Sequence, residues 1–201
     1  MSDSSTADPD CATCDTRECA DGADCHDIAD ETLAILRDPA IAPIHRAAGA
    51  IEARHYRQKT RLAETALFAH ELGCRRLGLA FCIGLADEAR VIAEVLGRDF
   101  EVVSVCCKAG GIDKEDLGLE QIRPEAELEV TCNPAAQARL MNDAGTDLNV
   151  ICGLCVGHDA IFCRLSDAPV TTLVAKDRVL AHNPLGAVYC QYVRRDLLPP
   201  D

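Results

Sequence analysis

The sequence predicts an α/β fold: a mostly parallel, open sheet of about four strands flanked by helices, with a Cys-rich N-terminal metal-binding knot. Three observations predict it. From Arg76 onward, short apolar runs of β-forming residues alternate with helical patterns, which is the signature of βαβ units. Three of those runs end in cysteine and open into a glycine turn or a helix start. Four cysteines crowd residues 11–25 among small and charged neighbours that could build no apolar core. In an open parallel sheet, ligands sit beyond the carboxyl ends of the strands, so strands ending in cysteine gather thiols at one rim.

Taken in order, residues 1–10 are small, polar and acidic and read as a disordered tail. Residues 11–26 form the knot, with Cys11, Cys14, Cys19 and Cys25 as candidate ligands. The two-residue gap between Cys11 and Cys14 lets both sulfurs of a turn face one ion, as in structural zinc and iron–sulfur sites. Disulfides or unligated thiols are the other readings, and the neighbouring His26 is an alternative fourth ligand. Residues 27–201 are read as a helical lead-in followed by the α/β domain. Asp27 to Arg37 is helical and stops at Asp38-Pro39. A longer helical pattern from about Ile44 places Ala47, Ala48, Ile51, Tyr56, Leu62, Ala66, Leu67 and Leu72 on buried faces, with a register shift between Tyr56 and Arg61. Gly73 closes it as a C-cap.

Strand one is Leu77 to Phe81, running into Cys82-Ile83-Gly84. The helix Ala86 to Leu96 follows, then strand two, Phe100 to Val105, which runs into Cys106-Cys107. The charged stretch from Lys108 to Glu129 has weak periodicity and is expected to wrap the rim, as such long loops often cover functional sites. Cys132 precedes Asn133-Pro134, a helix start with a good N-cap and a proline at the first position. The helix Ala135 to Ala144 is expected to bury Ala136, Leu140 and Met141. Strand three, Leu148 to Ile151, leads into Cys152-Gly-Leu-Cys155 and a short helix to about Leu165. Strand four is Val170 to Ala175, and Leu185 to Tyr192 closes the chain as a helix opened by His182-Asn183-Pro184.

Composition limits the function. The formal net charge is −13 with scattered basic residues, and there are three Tyr, four Phe and no Trp. Phosphate backbones need a positive footprint and base stacking needs aromatics, so nucleic acid is not an expected partner. No apolar run reaches bilayer length and the first residues lack a signal-peptide pattern, so a soluble cytoplasmic protein without a membrane partner is expected. Thirteen cysteines then point to metal or redox chemistry rather than a disulfide framework.

At the rim, Cys82, Cys106, Cys107, Cys132, Cys152, Cys155, His158 and His182 are the candidate cofactor-binding residues. Cysteine in a strand is often only a small core hydrophobe, and that reading is favoured for Cys163 and Cys190. Adjacent strand residues face opposite ways, so Cys106 and Cys107 share a site only where the strand has ended. Cys152 and Cys155 have the gap of a redox dithiol or a metal pair. His158 and His182 could ligate metal, transfer protons, or stand exposed beside the helix-capping residues Asp159 and Asn183. No phosphate-loop or dinucleotide fingerprint is complete.

The blocks Ala-Phe-Cys-Ile-Gly-Leu at 80–85, Val-Cys-Cys-Lys at 105–108 and Thr-Cys-Asn-Pro at 131–134 resemble one family over most of the chain. Gly-Leu-Cys-Val-Gly-His-Asp at 153–159, Lys-Asp-Arg at 176–178 and His-Asn-Pro at 182–184 add to the likeness. The family is the uncharacterised prokaryotic metal-binding proteins grouped as domain-of-unknown-function family 1847. The resemblance implies metal binding and supplies neither a reaction nor a ligand set. The family's knot carries a proline beside its last cysteine, whereas this chain has Cys25-His26, which leaves the fourth knot ligand open between those two. The expected function is therefore a metalloprotein, iron–sulfur first, in redox or electron-transfer work with a redox partner protein. The alternatives are a zinc protein for metal handling or sensing, and a thiol oxidoreductase or sulfur carrier using Cys152/Cys155 or Cys106/Cys107.

Overall fold

The structure, a computed structural model, describes residues 8–198. Most of the expected disordered tail, residues 1–7, lies outside the described residues, and 8–10 are exposed. The chain divides into two compact units, Met1–Arg54 and His55–Asp201.

The first unit begins with short 3-10 turns at Cys11–Thr13 and Glu18–Asp21. The Asp24 carboxylate accepts hydrogen bonds from the backbone N–H groups of Ile28 (3.1 Å) and Ala29 (2.9 Å). These are donors that the start of α1 (Ala29–Leu36) leaves without intrahelical partners. A turn at Asp38-Pro39 separates it from α2 (Ala42–His55), which buries Ala42, Ala47 and Ile51. Ala48 and Tyr56 are exposed, contrary to the periodicity. Ala48 lies off the face marked by Ala47 and Ile51, and Tyr56 falls in the break that follows α2, where Arg57 turns to φ 59°.

The second unit opens with α3 (Arg61–Glu71), capped by the Thr60 hydroxyl oxygen accepting from the Ala63 N–H at 3.3 Å. The strands are β1 (Arg76–Phe81), β2 (Glu101–Cys106), β3 (Leu148–Cys152) and β4 (Val170–Val174). They form one sheet in the order β2-β1-β3-β4, every pair parallel. Between them run α4 (Ala86–Leu96), α5 (Pro134–Ala144) and α6 (His158–Leu165). Each strand alternates between two apolar cores. On one side Leu77, Leu79, Leu148 and Val150 pack with Ala69 of α3 and Ala89, Ile92 and Leu96 of α4. On the other, Ala80, Val105 and Ile151 pack with Ala138 and Met141 of α5 and Phe162 of α6. The chain runs from β1 out to β2 and returns to β3 on the other flank of β1. The order therefore reverses between β1 and β3, the place where such sheets open a crevice.

Two apolar assignments need correction. Leu140 is 48% exposed because α5 buries Pro134, Gln137, Ala138 and Met141, a stripe that excludes it. Cys163 and Cys190 are exposed rather than core; α6 buries Phe162 alone. The closing helix is two helices, α7 (Leu185–Tyr189) and α8 (Gln191–Leu197), parted where Cys190 turns extended. No helix among the described residues is long and apolar enough to cross a membrane.

The long segment after β2 folds on itself. Asp113 and Val130 form an antiparallel bridge, and Lys114 pairs with the buried Glu129 at 2.5 Å. Lys114, and next the Arg123 N–H, hold the Glu129 carboxyl near 2, below the ordinary 4.5. A depressed carboxylate stabilises the fold above its unfolded value and loses that contribution as pH falls through the folded one. Acidification from about 4.5 to about 2 is therefore expected to release this loop. Amide hydrogen exchange over residues 112–130 should show protection falling in that window and the fall absent in Glu129→Gln. Equal protection at both ends of the window would refute the assignment.

Candidate metal centre

Cys82, Cys107, Cys132, Cys155 and His158 line one small enclosed space with Gln137 and Leu154. Each comes from a different place in the chain. The strand ladder runs one residue past β1 and β2: the Cys82 N–H donates to Cys152 O at 3.1 Å, and the Cys107 N–H to Phe81 O at 2.8 Å. Strand alternation therefore turns Cys82 and Cys107 to the face of Ala80 and Val105. Cys132 is brought in because the Asn133 N–H donates to Cys107 O at 2.7 Å. Asn133 then caps α5 by accepting from the Ala136 N–H at 2.9 Å. After β3, Gly153 turns at φ 69°, and an added Cβ there would lie 2.1 Å from Leu85. Only a glycine fits this turn, which carries Cys155 to the rim. His158 begins α6, its N–H donating to Cys155 O at 2.9 Å.

Cys132, Cys155 and His158 place their ligand atoms within 4.8 Å of one another. The Cys107 Sγ lies 3.8 Å from the Cys132 Sγ. Cys155 accepts from the Arg178 guanidinium at 2.8 Å, and Cys107 from the Ile83 N–H at 3.3 Å. The two neighbouring thiols divide their charge. The hydrogen bond with Cys107, and then the neighbouring Lys108 and His158 side chains, lower the Cys132 thiol to about 5. Cys107 is pushed far up by the same hydrogen bond and by burial. The two sulfurs share one hydrogen bond, and of the pair Cys132 is the one whose charged form is favoured. Burial raises Cys155, with Arg178 opposing it.

The space is too small for a water molecule, yet two polar atoms on its lining residues, Gln137 Oε1 and His158 Nδ1, are buried without a hydrogen-bond partner. Buried polar atoms are ordinarily satisfied, and thiolate with imidazole is the donor set of zinc and related ions.

The other sequence-predicted candidates lie elsewhere. Cys106, the last residue of β2, packs at the margin of the second core without lining the space. Cys152 faces the first core, where burial and then Glu88 push its thiol up to about 11. The His182 Nδ1 accepts from the Asp177 N–H at 3.1 Å, which closes the loop carrying Arg178. None of the residues lining the space comes from 108–129.

In the first unit, Cys11, Cys14, Cys19, Cys25 and His26 line a separate cavity of about 360 Å³. All four thiols are exposed. Cys11 Sγ is 3.6 Å from His26 Nε2, and the Arg17 N–H donates to Cys14 Sγ at 3.4 Å. That bond, with the Thr16 hydroxyl, lowers the Cys14 thiol. No disulfide joins any of the thirteen cysteines in the structure.

Gln137 and Arg178 are the site residues that the sequence did not single out. Gln137 is a wholly buried polar residue on an alanine-rich helix, and its Nε2 donates to Val105 O at 2.7 Å and Phe81 O at 3.2 Å. Both bonds require the amide nitrogen on that side, so the oxygen faces the thiols. A polar position within the buried stripe of α5 was the available signal. Arg178 stood in the Lys-Asp-Arg block, but its reach to Cys155 depends on the fold of the 177–182 loop.

The family described as Protein of unknown function (DUF1847) matches residues 20–173, a stretch containing every residue lining the rim space. The chain is 43% identical over 189 residues to an uncharacterized protein of Methanocaldococcus jannaschii, covering 94% of this chain and 97% of that one. No solved structure matches. With its rim residues inside the matched stretch and a relative aligned over nearly all of both chains, this chain belongs to the DUF1847 family.

Proposed function

We propose that this protein binds a single transition-metal ion at the sheet rim through Cys132, Cys155 and His158, and that it serves in handling or sensing that ion. What supports the reading is the convergence of three soft donors within 4.8 Å of one another. A tetrahedral ion with sulfur at about 2.3 Å spaces its donors about 3.8 Å apart. A cluster spreads its cysteines over several iron atoms and needs more room than a space that excludes water. Zinc is the ion of choice for this donor set. Three protein donors leave the fourth tetrahedral position to a group outside this trio, which suits transfer or sensing better than a closed structural site. Arg178 and Lys108 offset the charge of the thiolates, and the neighbouring Cys107 favours the charged form of Cys132. When bound, the ion would supply Lewis acidity.

A second reading attaches to the knot. Its larger cavity and four thiolate candidates, Cys11, Cys14, Cys19 and Cys25, favour an iron–sulfur cluster there, with electron transfer to a partner protein as its use. Elemental and sulfide analysis of anaerobically purified protein separates the two. The expected result is about one zinc per chain that His158→Ala and Cys155→Ala each remove, with any iron and sulfide unaffected by those changes. Full metal content in both variants would overturn the rim assignment.

A further inference from the structure

We infer that Cys107 and Cys132 form a reversible oxidation site, whose disulfide withdraws Cys132 from the rim metal and so couples metal release to hydroperoxides. The inference rests on the metal reading above and adds its regulation. The two sulfurs are 3.8 Å apart with no atom required between them. The Asn133 N–H to Cys107 O hydrogen bond of 2.7 Å holds the two chain segments side by side at this point. Cys155 is a poorer partner for Cys132 because its sulfur is held by Arg178 at 2.8 Å. Cys132 is half-buried and Cys107 only 2% exposed. An oxidant therefore meets Cys132 first, with Cys107 waiting behind it as the resolving thiol.

The chemistry balances with hydrogen peroxide as oxidant. The Cys132 sulfur attacks one peroxide oxygen, the O–O bond breaks, and the other oxygen leaves as hydroxide and takes up a proton. The Cys132 sulfenic acid is then attacked by the Cys107 sulfur, which gives up its proton as the S–O bond breaks and a second water leaves. The Cys132 thiolate and the Cys107 thiol together lose two electrons and one proton, solvent supplies the proton that the hydroxide takes up, and the peroxide becomes two waters. A low-molecular-weight thiol reverses the bond by exchange. Without Cys107, the thiol left beside the sulfenic acid is Cys155, whose sulfur Arg178 holds at 2.8 Å, and the sulfenic acid proceeds to sulfinic acid, which thiols do not reduce.

The test compares zinc-loaded full-length protein with Cys107→Ser, which retains Cys132, Cys155 and His158. Each is treated with hydrogen peroxide, mapped by non-reducing peptide mass spectrometry, then reduced with dithiothreitol and re-supplied with zinc. The expected wild-type result is a 107–132 linkage, loss of about one zinc per chain, and recovery of that zinc on reduction. Cys107→Ser is expected to lose the same ion, carry sulfinic acid at Cys132 and fail to recover it. A metal-loaded wild type that forms no 107–132 linkage, or a variant that recovers as fully as wild type, overturns the oxidation site. A linkage formed in protein that never held rim zinc overturns the metal reading and the coupling to it.

Discussion

Gly78→Ala should lower the stability of the second unit by about 3–5 kcal/mol, combining overpacking with the loss of buried hydrogen bonds. Gly78 lies in the middle of β1, between β2 and β3. A methyl group there would stand 2.0 Å from Asn149 Oδ1 and 2.7 Å from Met141 Sδ. Neither neighbour can yield easily. Asn149 is wholly buried, its oxygen accepting from the Thr146 hydroxyl at 2.8 Å and its amide donating to Ser166 Oγ at 2.7 Å. Met141 is wholly buried in the second core. Domains are stable by only about 5–15 kcal/mol, so the variant is expected to unfold at a much lower denaturant midpoint. Gly49→Ala is the control, because it lies within α2 with nothing inside 4 Å of the added carbon, and it should gain about 0.5–1 kcal/mol. Equal midpoints for Gly78→Ala and wild type would show that Asn149 can move aside.

Metal-free protein should be alkylated at Cys132 in mildly acid solution, where ordinary thiols are inert. The Cys107 hydrogen bond, then Lys108 and His158, hold the thiol near 5 against an ordinary 9.0. At pH 6 that difference gives about a thousandfold more thiolate, and the lower basicity returns part of the gain, leaving roughly tenfold in rate. Iodoacetamide labelling followed by mass spectrometry should place the inflection of the Cys132 rate near pH 5. Cys107→Ala removes the first of those causes and should move the inflection upward. An inflection near 9 in wild type would mean that the two thiols do not share a proton in this way.

The strands and the helix α4 were legible from apolar runs and glycine stops, and the bounds of α4 are those read from the sequence. The rim itself was legible because cysteine followed three strand ends. Which thiols face each other was not, because that depends on where each strand stops. The ladder extends one residue beyond β1 and β2, so Cys82 and Cys107 turn inward together. Cys152, still inside β3, faces the opposite core. His182 looked like a second rim imidazole, but its ring is used by the Asp177 N–H. Gln137 escaped notice because a buried amide on a helix declares itself only when both strand carbonyls that it reaches are in place.

The spacing of the rim donors along the chain sets an order of assembly. Cys107 and Cys132 are 25 residues apart, and they meet only after β1 has paired with β2 and α5 has docked. Cys155 joins only once β3 has been added on the other flank of β1. The knot cysteines, by contrast, all lie between residues 11 and 25, so a short emerging peptide already contains them. Loop-closure entropy favours the nearer set, and a site absent from the unfolded chain captures its ion only as folding completes. During synthesis the amino-terminal thiols are therefore exposed before the sheet exists, whereas an ion bound at the rim would report that β3 has arrived.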